Sequence, residues 1–278
     1  MQSFELHLDV QTPVNAVDLL ARNSALSKAQ IKAVMHKGAV WVGSGKKTTR
    51  LRRAKKELSP GQSLHMYYNE AALCDDFIKP VLLEDCGEYS LWLKPCGMMS
   101  QGSKWGDHST IARYAEVSLL PQRSAFIVHR LDRATQGVIL VAHTKNAARQ
   151  LTALFEQRNI TKKYQAVIVG QLENTTEFTD DIDARTAYTK ATSLYYDSGL
   201  NMSLLDIEIG SGRKHQIRRH LSQAGLPIVG DRLYGDGSNH EADLQLCAYH
   251  LNFPCPISAM EKIIEITPQL LISRGDKD

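Results

Sequence analysis

Hydrophobic positions recur with two different periods along this chain, and the change of period divides it. Ile31, Val34 and Met35 share one helical face. Ser27 and Gln30 precede them at capping-box spacing, and Gly38 follows where a left-handed residue would stop the helix. Residues 39–42 then read as a strand, Gly43-Ser44-Gly45 as a turn, and Pro60-Gly61 as a second turn ahead of alternating Leu64, Met66 and Tyr68. These elements predict a small α/β domain over residues 1–72.

Beyond it, strands and helices mix. Residues 89–93, 126–128, 138–142 and 163–169 are short apolar runs of strand length, and Leu205, Ile207 and Ile209 alternate. Ala147, Leu151, Leu154 and Phe155 lie at i, i+4, i+7 and i+8, predicting a helix between Thr144 and Asn159. No regular βαβ rhythm appears. The pattern predicts an α+β domain over residues 73–278, a mixed and largely antiparallel sheet with flanking helices.

Composition narrows the class. The 278 residues are 43% hydrophobic and 23% charged, the range of an ordinary globular protein. No apolar run reaches the length of a membrane span, and the N-terminus lacks the layout of a secretory signal. Five cysteines with no CxxC spacing argue against a disulfide framework and a structural zinc site, and point to a reducing cytoplasm. The net charge of +3 is mild, but its distribution is not: Lys46, Lys47, Arg50, Arg52, Arg53, Lys55 and Lys56 crowd one stretch. Such a run is either a solvated loop or a phosphate-binding surface.

Two polar stretches carry candidate chemistry. The first, residues 129–137 (HRLDRATQG), lies between two apolar strands, so it is a loop held at both ends. Asp132 there stands beside Arg130 and Arg133, cations that favour an ionised carboxylate able to act as nucleophile, base or electrostatic partner. The second, residues 210–221 (GSGRKHQIRRHL), follows a strand. Ile217, Leu221 and Ala224 would face a core, Ser211 could cap the helix, and His215, Arg218 and Arg219 would lie off the stripe. A glycine-led helix start carrying Arg213, Lys214 and His215 suits an anion. Taken singly, the first stretch is better accounted for as an ion-paired surface loop, and a basic amphipathic helix accounts for the second equally well.

Residues 27–32 (SKAQIK), 38–42 (GAVWV) and Pro60-Gly61 together resemble a small RNA-binding domain found in a ribosomal small-subunit protein and in several RNA-modifying enzymes. That resemblance implies RNA contact by Lys28, Lys32, Lys46, Lys47, Arg50, Arg52 and Arg53. In the remainder, Lys94-Pro95-x-Gly97, then 129–133, then Lys163-Tyr164 with Ala166-Val167, then 212–218, then Gly230-Asp231-Arg232-x-Tyr234-Gly235 resembles the RluA-type pseudouridine synthases, over about residues 80–255.

The resemblance implies an isomerase acting on uridine in structured RNA, with no cofactor and no metal. Ribosomal RNA stands slightly ahead of transfer RNA, and the enzyme would be a cytoplasmic monomer. It implies Asp132 as the catalytic carboxylate, Tyr164 against the target base, and Arg218 paired with the carboxylate. Arg130 would hold the everted nucleotide, with Arg213, Lys214 and His215 on the substrate. The carboxylate could add to the sugar, add to the base, or take a ribose proton. Gln136, Leu226 and Ser100-Gln101 depart from the family pattern without removing a catalytic group. A non-catalytic RNA-binding protein is the main alternative. A methyltransferase would need a glycine-rich cofactor turn, and no credible candidate is present.

Overall fold

The computed structural model describes residues 2–235, 237 and 241–272. Contacts divide the chain into two units, Met1–Phe77 with Gln101–Leu120, and Ile78–Ser100 with Pro121–Asp278. The boundary expected from sequence falls at residue 72, with everything beyond it in the second domain. Residues 101–120 instead fold with the first unit.

The first unit runs β1 (Ser3–Asp9), β2 (Val14–Asn15), α1 (Ala16–Arg22), α2 (Lys28–His36), β3 (Val40–Ser44), β4 (Lys47–Arg50), β5 (Glu57–Leu58) and β6 (Gln62–Asn69), with α3 (Ile111–Ser118) from the later segment. Its main sheet is antiparallel in the order β1-β6-β3-β4. Ser27 and Gln30 form the capping box at the start of α2, satisfying backbone donors that would otherwise be orphaned. The face Ile31, Val34, Met35 is buried with Val40, Leu64 and Met66 in one core.

The basic stretch is not simply a loop. Residues 47–50 form β4, and two arginines of the stretch, Arg50 at the end of β4 and Arg52 beyond it, turn inward. Arg50 stacks over Trp41 at 4.3 Å and donates to the Gly38 carbonyl and, at 2.7 Å, to that of Ser103. Arg52 donates to the His36 carbonyl at 2.7 Å and to Asp107 Oδ2 at 2.5 Å, and Arg50 Nε lies 3.4 Å from the same oxygen. Gly38, at φ +81°, leaves the space this cluster needs: a β-carbon there would lie 2.4 Å from Asp107 Oδ1. Asp107 thereby fastens residues 101–120 to this unit.

The second unit runs β7 (Val81–Asp85), β8 (Tyr89–Lys94), β9 (Phe126–Ile127), β10 (Gln136–Ala142), α4 (Lys145–Glu156), β11 (Thr161–Val169), β12 (Thr175–Phe178), β13 (Thr189–Asp197), β14 (Met202–Ile209), α5 (Gln216–Gln223), β15 (Leu246–Pro254) and β16 (Glu261–Glu265). The sheet order is β12-β13-β14-β11-β15-β10-β8-β7, with β16 on β15 and β9 on β10. Every pairing is antiparallel except β10 with β15. The fold class is the mixed α+β expected. Residues 137–142 are buried throughout, as a strand covered on both faces must be. Gly137 opens β10, where any β-carbon would lie 2.2 Å from the Ala248 carbonyl oxygen. Among the described residues, no helix is long and apolar enough to cross a membrane.

Candidate active site

The turn after β8 shapes the loop that carries Asp132. Lys94 is fully buried, and its ammonium donates to the carbonyls of Pro95 (3.0 Å), Met98 (2.8 Å) and Arg133 (3.3 Å). Burial pushes its pKa down to about 8, yet three acceptors suit the three donors of the charged form. Gly97 N–H donates to Arg133 O at 2.9 Å, and the Ser100 hydroxyl donates to Leu131 O at 2.8 Å. Leu131 N–H donates back to that hydroxyl oxygen at 3.1 Å. Bonds on both sides of Asp132 thus fix it while its side chain stays 27% exposed.

His129 anchors the start of the loop. Its Nε2 accepts the Leu140 N–H at 3.0 Å, its ring stacks on Phe155, and burial pushes its pKa down to about 3. It is a neutral structural acceptor.

The arginine of α5 has a different principal partner from the one expected. Arg218 Nε and Nη2 donate to Asp231 Oδ2 and Oδ1 at 2.7 and 2.6 Å, a bidentate pair with both side chains buried. Its Nη1 faces Asp132 Oδ2 at 3.8 Å. Burial works against the charge of Arg218, but Asp231 outweighs it and raises the pKa. Burial likewise works against the Asp231 carboxylate, while Arg218 and the backbone N–H groups of Leu233 and Tyr234 lower its pKa overall. Asp231 therefore fixes the guanidinium, leaving one edge for Asp132. Asp231 stands within the Gly-Asp-Arg motif, which by itself implies no task for it. An acid inside a glycine-bounded turn is the signal that could have found it.

Helix α5 starts at Gln216, not at the glycines. His215 occupies the cap position at φ 55° with no side-chain cap bond. Ser211 instead donates to Gln216 Oε1 at 2.7 Å, and Gln216 Nε2 donates to Tyr188 O and Thr189 Oγ1. Gln216, Ile217, Arg218, His220 and Leu221 are all buried, so Arg218 is interior rather than off a core stripe. His215 Nε2 lies 3.8 Å from Asp132 Oδ1, and its Nδ1 pairs with the Tyr234 hydroxyl at 2.9 Å. Burial holds the His215 pKa below the ordinary value despite the pull of Asp132.

Tyr164 sits on β11 at a register irregularity against β15, the kind of local bulge that re-aims a side chain. It is buried, and burial together with the Asp132 charge raises its pKa, so the phenol is neutral at rest. Arg130 and Lys214 are exposed, with no ion pair among the described residues, and Arg213 Nε donates to Thr186 O at 3.1 Å. In the first unit, Lys28, Lys32, Lys46, Lys47 and Arg53 are exposed, and Lys28 pairs with Asp18 at 2.6 Å. Arg50 and Arg52 are the exception: their guanidinium groups are engaged by the cluster around Asp107. No group of three metal-ligating side chains occurs among the described residues.

Comparison with known proteins accords with this geometry. The RNA pseudouridylate synthase family model matches residues 88–223, which include Asp132, Tyr164 and Arg218. A tRNA pseudouridine synthase C of Vibrio vulnificus is 31% identical over 62% of this chain and 83% of its own length. An uncharacterized RNA pseudouridine synthase of Aquifex aeolicus is 27% identical over 86% of this chain and 85% of its own. One of Chloroflexus aurantiacus is 33% identical over 53% of this chain, but this chain spans only 52% of it. The human RNA pseudouridylate synthase domain containing 4 protein shares the fold at a TM-score of 0.57 and 22% identity, covering 68% of this chain and 88% of its own. The chain belongs to the RNA pseudouridylate synthase family, enzymes that isomerise uridine within RNA.

Proposed function

We propose that Asp132 is the catalytic carboxylate of this isomerase, and that it acts on an everted uridine in a structured RNA. The observation that carries the reading is the pair of 3.8 Å approaches to the Asp132 carboxylate, from Arg218 Nη1 and His215 Nε2, around a side chain that remains accessible. Arg218, held by Asp231, keeps positive charge beside the carboxylate while the C1′–N1 bond breaks. Tyr164 confines the loosened uracil as it turns to present C5. Arg130 fills the place the base leaves, offsetting part of the few kcal/mol, roughly, that eversion costs in stacking and pairing. Arg213, Lys214 and His215 line the approach of the substrate strand, and no cofactor takes part.

The first unit serves as an RNA anchor through exposed Lys28, Lys32, Lys46, Lys47 and Arg53, with Arg50 and Arg52 shaping that surface from beneath. An accessory RNA-binding unit of this kind favours ribosomal RNA as substrate. The relatives named for transfer RNA favour the second reading, a transfer RNA. The enzyme acts as a cytoplasmic monomer, in keeping with its five free cysteines.

The deciding experiment is tritium release from C5-tritiated RNA by Asp132→Asn. Release should fall by at least about a thousandfold with RNA affinity retained, and a normal rate would remove Asp132 from the chemistry. Pseudouridine mapping in total RNA, with and without the gene, separates the two substrates.

A further inference from the structure

A cleft of about 430 Å³ in the second unit is lined by Phe155, Arg158, Lys162, Gly212 and Arg213, with Glu156 and Glu208 also on its wall. The Lys162 ammonium stands between the Phe155 ring and the glycine turn of residues 210–212. It lies 5.7 Å from the Phe155 ring centroid, and the other stacking partner of that ring is His129, three residues before Asp132. A β-carbon on Gly212 would stand 3.8 Å from its Nζ. Tyr164 follows two residues later on β11, about 7 Å along the strand and within the span of one nucleotide.

The Lys162 ammonium has no hydrogen bond or ion pair among the described residues, and the contact it makes is with the Phe155 ring. Burial, and then the charge of Arg158, lower its pKa, with no contribution from Glu156 or Glu208. A half-buried cation with a second cation as neighbour is costly to keep unless an anion joins it.

Arg158 adds an independent observation. Helix α4 ends in a Schellman motif: Arg158 N–H donates to Phe155 O at 3.3 Å and Asn159 N–H to Leu154 O at 2.9 Å. Arg158 occupies the left-handed position at φ 60°, where glycine is favoured and a β-carbon is strained. An arginine held there, with its side chain on the cleft, points to use of that side chain.

We propose that this cleft is a phosphate subsite in which Lys162 and Arg158, with Arg213, hold a backbone phosphate of the RNA strand beside the target uridine. The proposal rests on Asp132 and Tyr164 marking the reacting centre. Lys162 and Arg158 act as positioning residues, so their loss should register in substrate capture rather than in the chemical step.

The test uses the full-length enzyme and C5-tritiated total RNA from a strain lacking the gene. Lys162→Met should raise KM about tenfold with kcat within about threefold. In filter binding by the Asp132→Asn protein, adding Lys162→Met should reduce the log–log salt slope by about one. Lys162→Arg should restore most of both. Arg158→Gly should raise the urea midpoint, by relieving the left-handed strain, and still raise KM severalfold. Unchanged KM and salt slope in Lys162→Met would overturn the subsite. So would equal impairment in Lys162→Arg accompanied by a lowered urea midpoint, which marks a structural role. If the unmodified enzyme releases no tritium while the binding slopes change as stated, the subsite stands and the isomerase assignment of this centre fails.

Discussion

Each unit contains a cluster of arginine and aspartate, and the two clusters use the same chemistry to opposite ends. In the first unit, Arg50 and Arg52 converge on Asp107, whose side chain is 15% exposed, at 3.4 and 2.5 Å, and donate their remaining N–H groups to backbone carbonyls. Asp107 Oδ2 takes both arginines, while Asp107 Oδ1 is buried with no hydrogen-bond partner among the described residues. In the second unit, Asp231 takes two donors of Arg218 at 2.6 and 2.7 Å, and Asp132 waits at 3.8 Å, more accessible and less engaged. Both clusters leave a carboxylate oxygen incompletely bonded, and they differ in exposure: the Asp107 side chain is 15% exposed and that of Asp132 27%. The buried partners supply rigidity, and the loosely held carboxylate remains available to a substrate.

The sharpest way to break this contrast is to exchange the fates of the two aspartates beside Arg218. Asp231→Ala removes the bidentate partner and leaves a buried guanidinium uncompensated, which should cost about 3–5 kcal/mol of stability. Asp132→Ala removes a partly exposed group with only 3.8 Å contacts and should cost less than about 1 kcal/mol. Urea unfolding of the two variants reads the difference directly. Tritium release should collapse in both, with the Asp132 variant inactive though folded. Comparable destabilisation by the two substitutions would show that Asp132 is a second structural acid.

Next in size is Asp107→Ala in the first unit. Two arginines would lose their shared acceptor in a largely buried setting, for an expected loss of about 2–3 kcal/mol. RNA binding should weaken because the surface above deforms. Restoring binding with a stabilising osmolyte, but not by lowering salt, would support that cause.

The fold was largely legible because periodicity reports burial. The capping box at Ser27 and Gln30, the α4 stripe of Ala147 and Leu151, and the alternating β11 and β14 strands all stand where patterning puts them. Strand β1 carries a period-2 signal in Phe4, Leu6 and Leu8, which are half-buried and pack against the first core while the strand pairs with β6, though the expectations drawn from sequence include no strand there. Helix α3 follows a run of polar and glycine residues, and only tertiary contacts show to which unit that segment belongs: the Asp107 cluster, the Lys104–Glu5 pair and the Trp41 bond to Lys104 O. At the site, the family motifs locate Asp132, Tyr164 and Arg218. The primary partner of Arg218 is thirteen residues away across a turn, a distance no local pattern encodes. The same limit hides the engagement of Arg50 and Arg52, which in sequence look no different from exposed Lys46, Lys47 and Arg53.

The smallest effect concerns His129, whose role is to support the Asp132 loop from behind. Its folded pKa of about 3 lies below the value of about 6.5 for an unstructured histidine. Between those values the unfolded chain binds a proton that the folded chain refuses, because the Nε2 lone pair is already committed to the Leu140 N–H. Stability from this group is therefore fully present above pH 6.5 and declines as pH falls toward 3, with a slope on the order of 1 kcal/mol per pH unit. The Arg218–Asp231 pair adds its own loss only below about pH 4, since the Asp231 pKa is lowered in the fold. Burial also lowers the pKa values of His65, His143 and His215, so between pH 5 and 6.5 it is the difference between the parent protein and a His129 variant that isolates His129. His129→Gln, which keeps an acceptor for Leu140 but cannot titrate, should flatten the pH dependence in that window while changing stability at pH 7.5 by less than about 1 kcal/mol. An undiminished slope would place the titrating group elsewhere and detach His129 from the support of the loop.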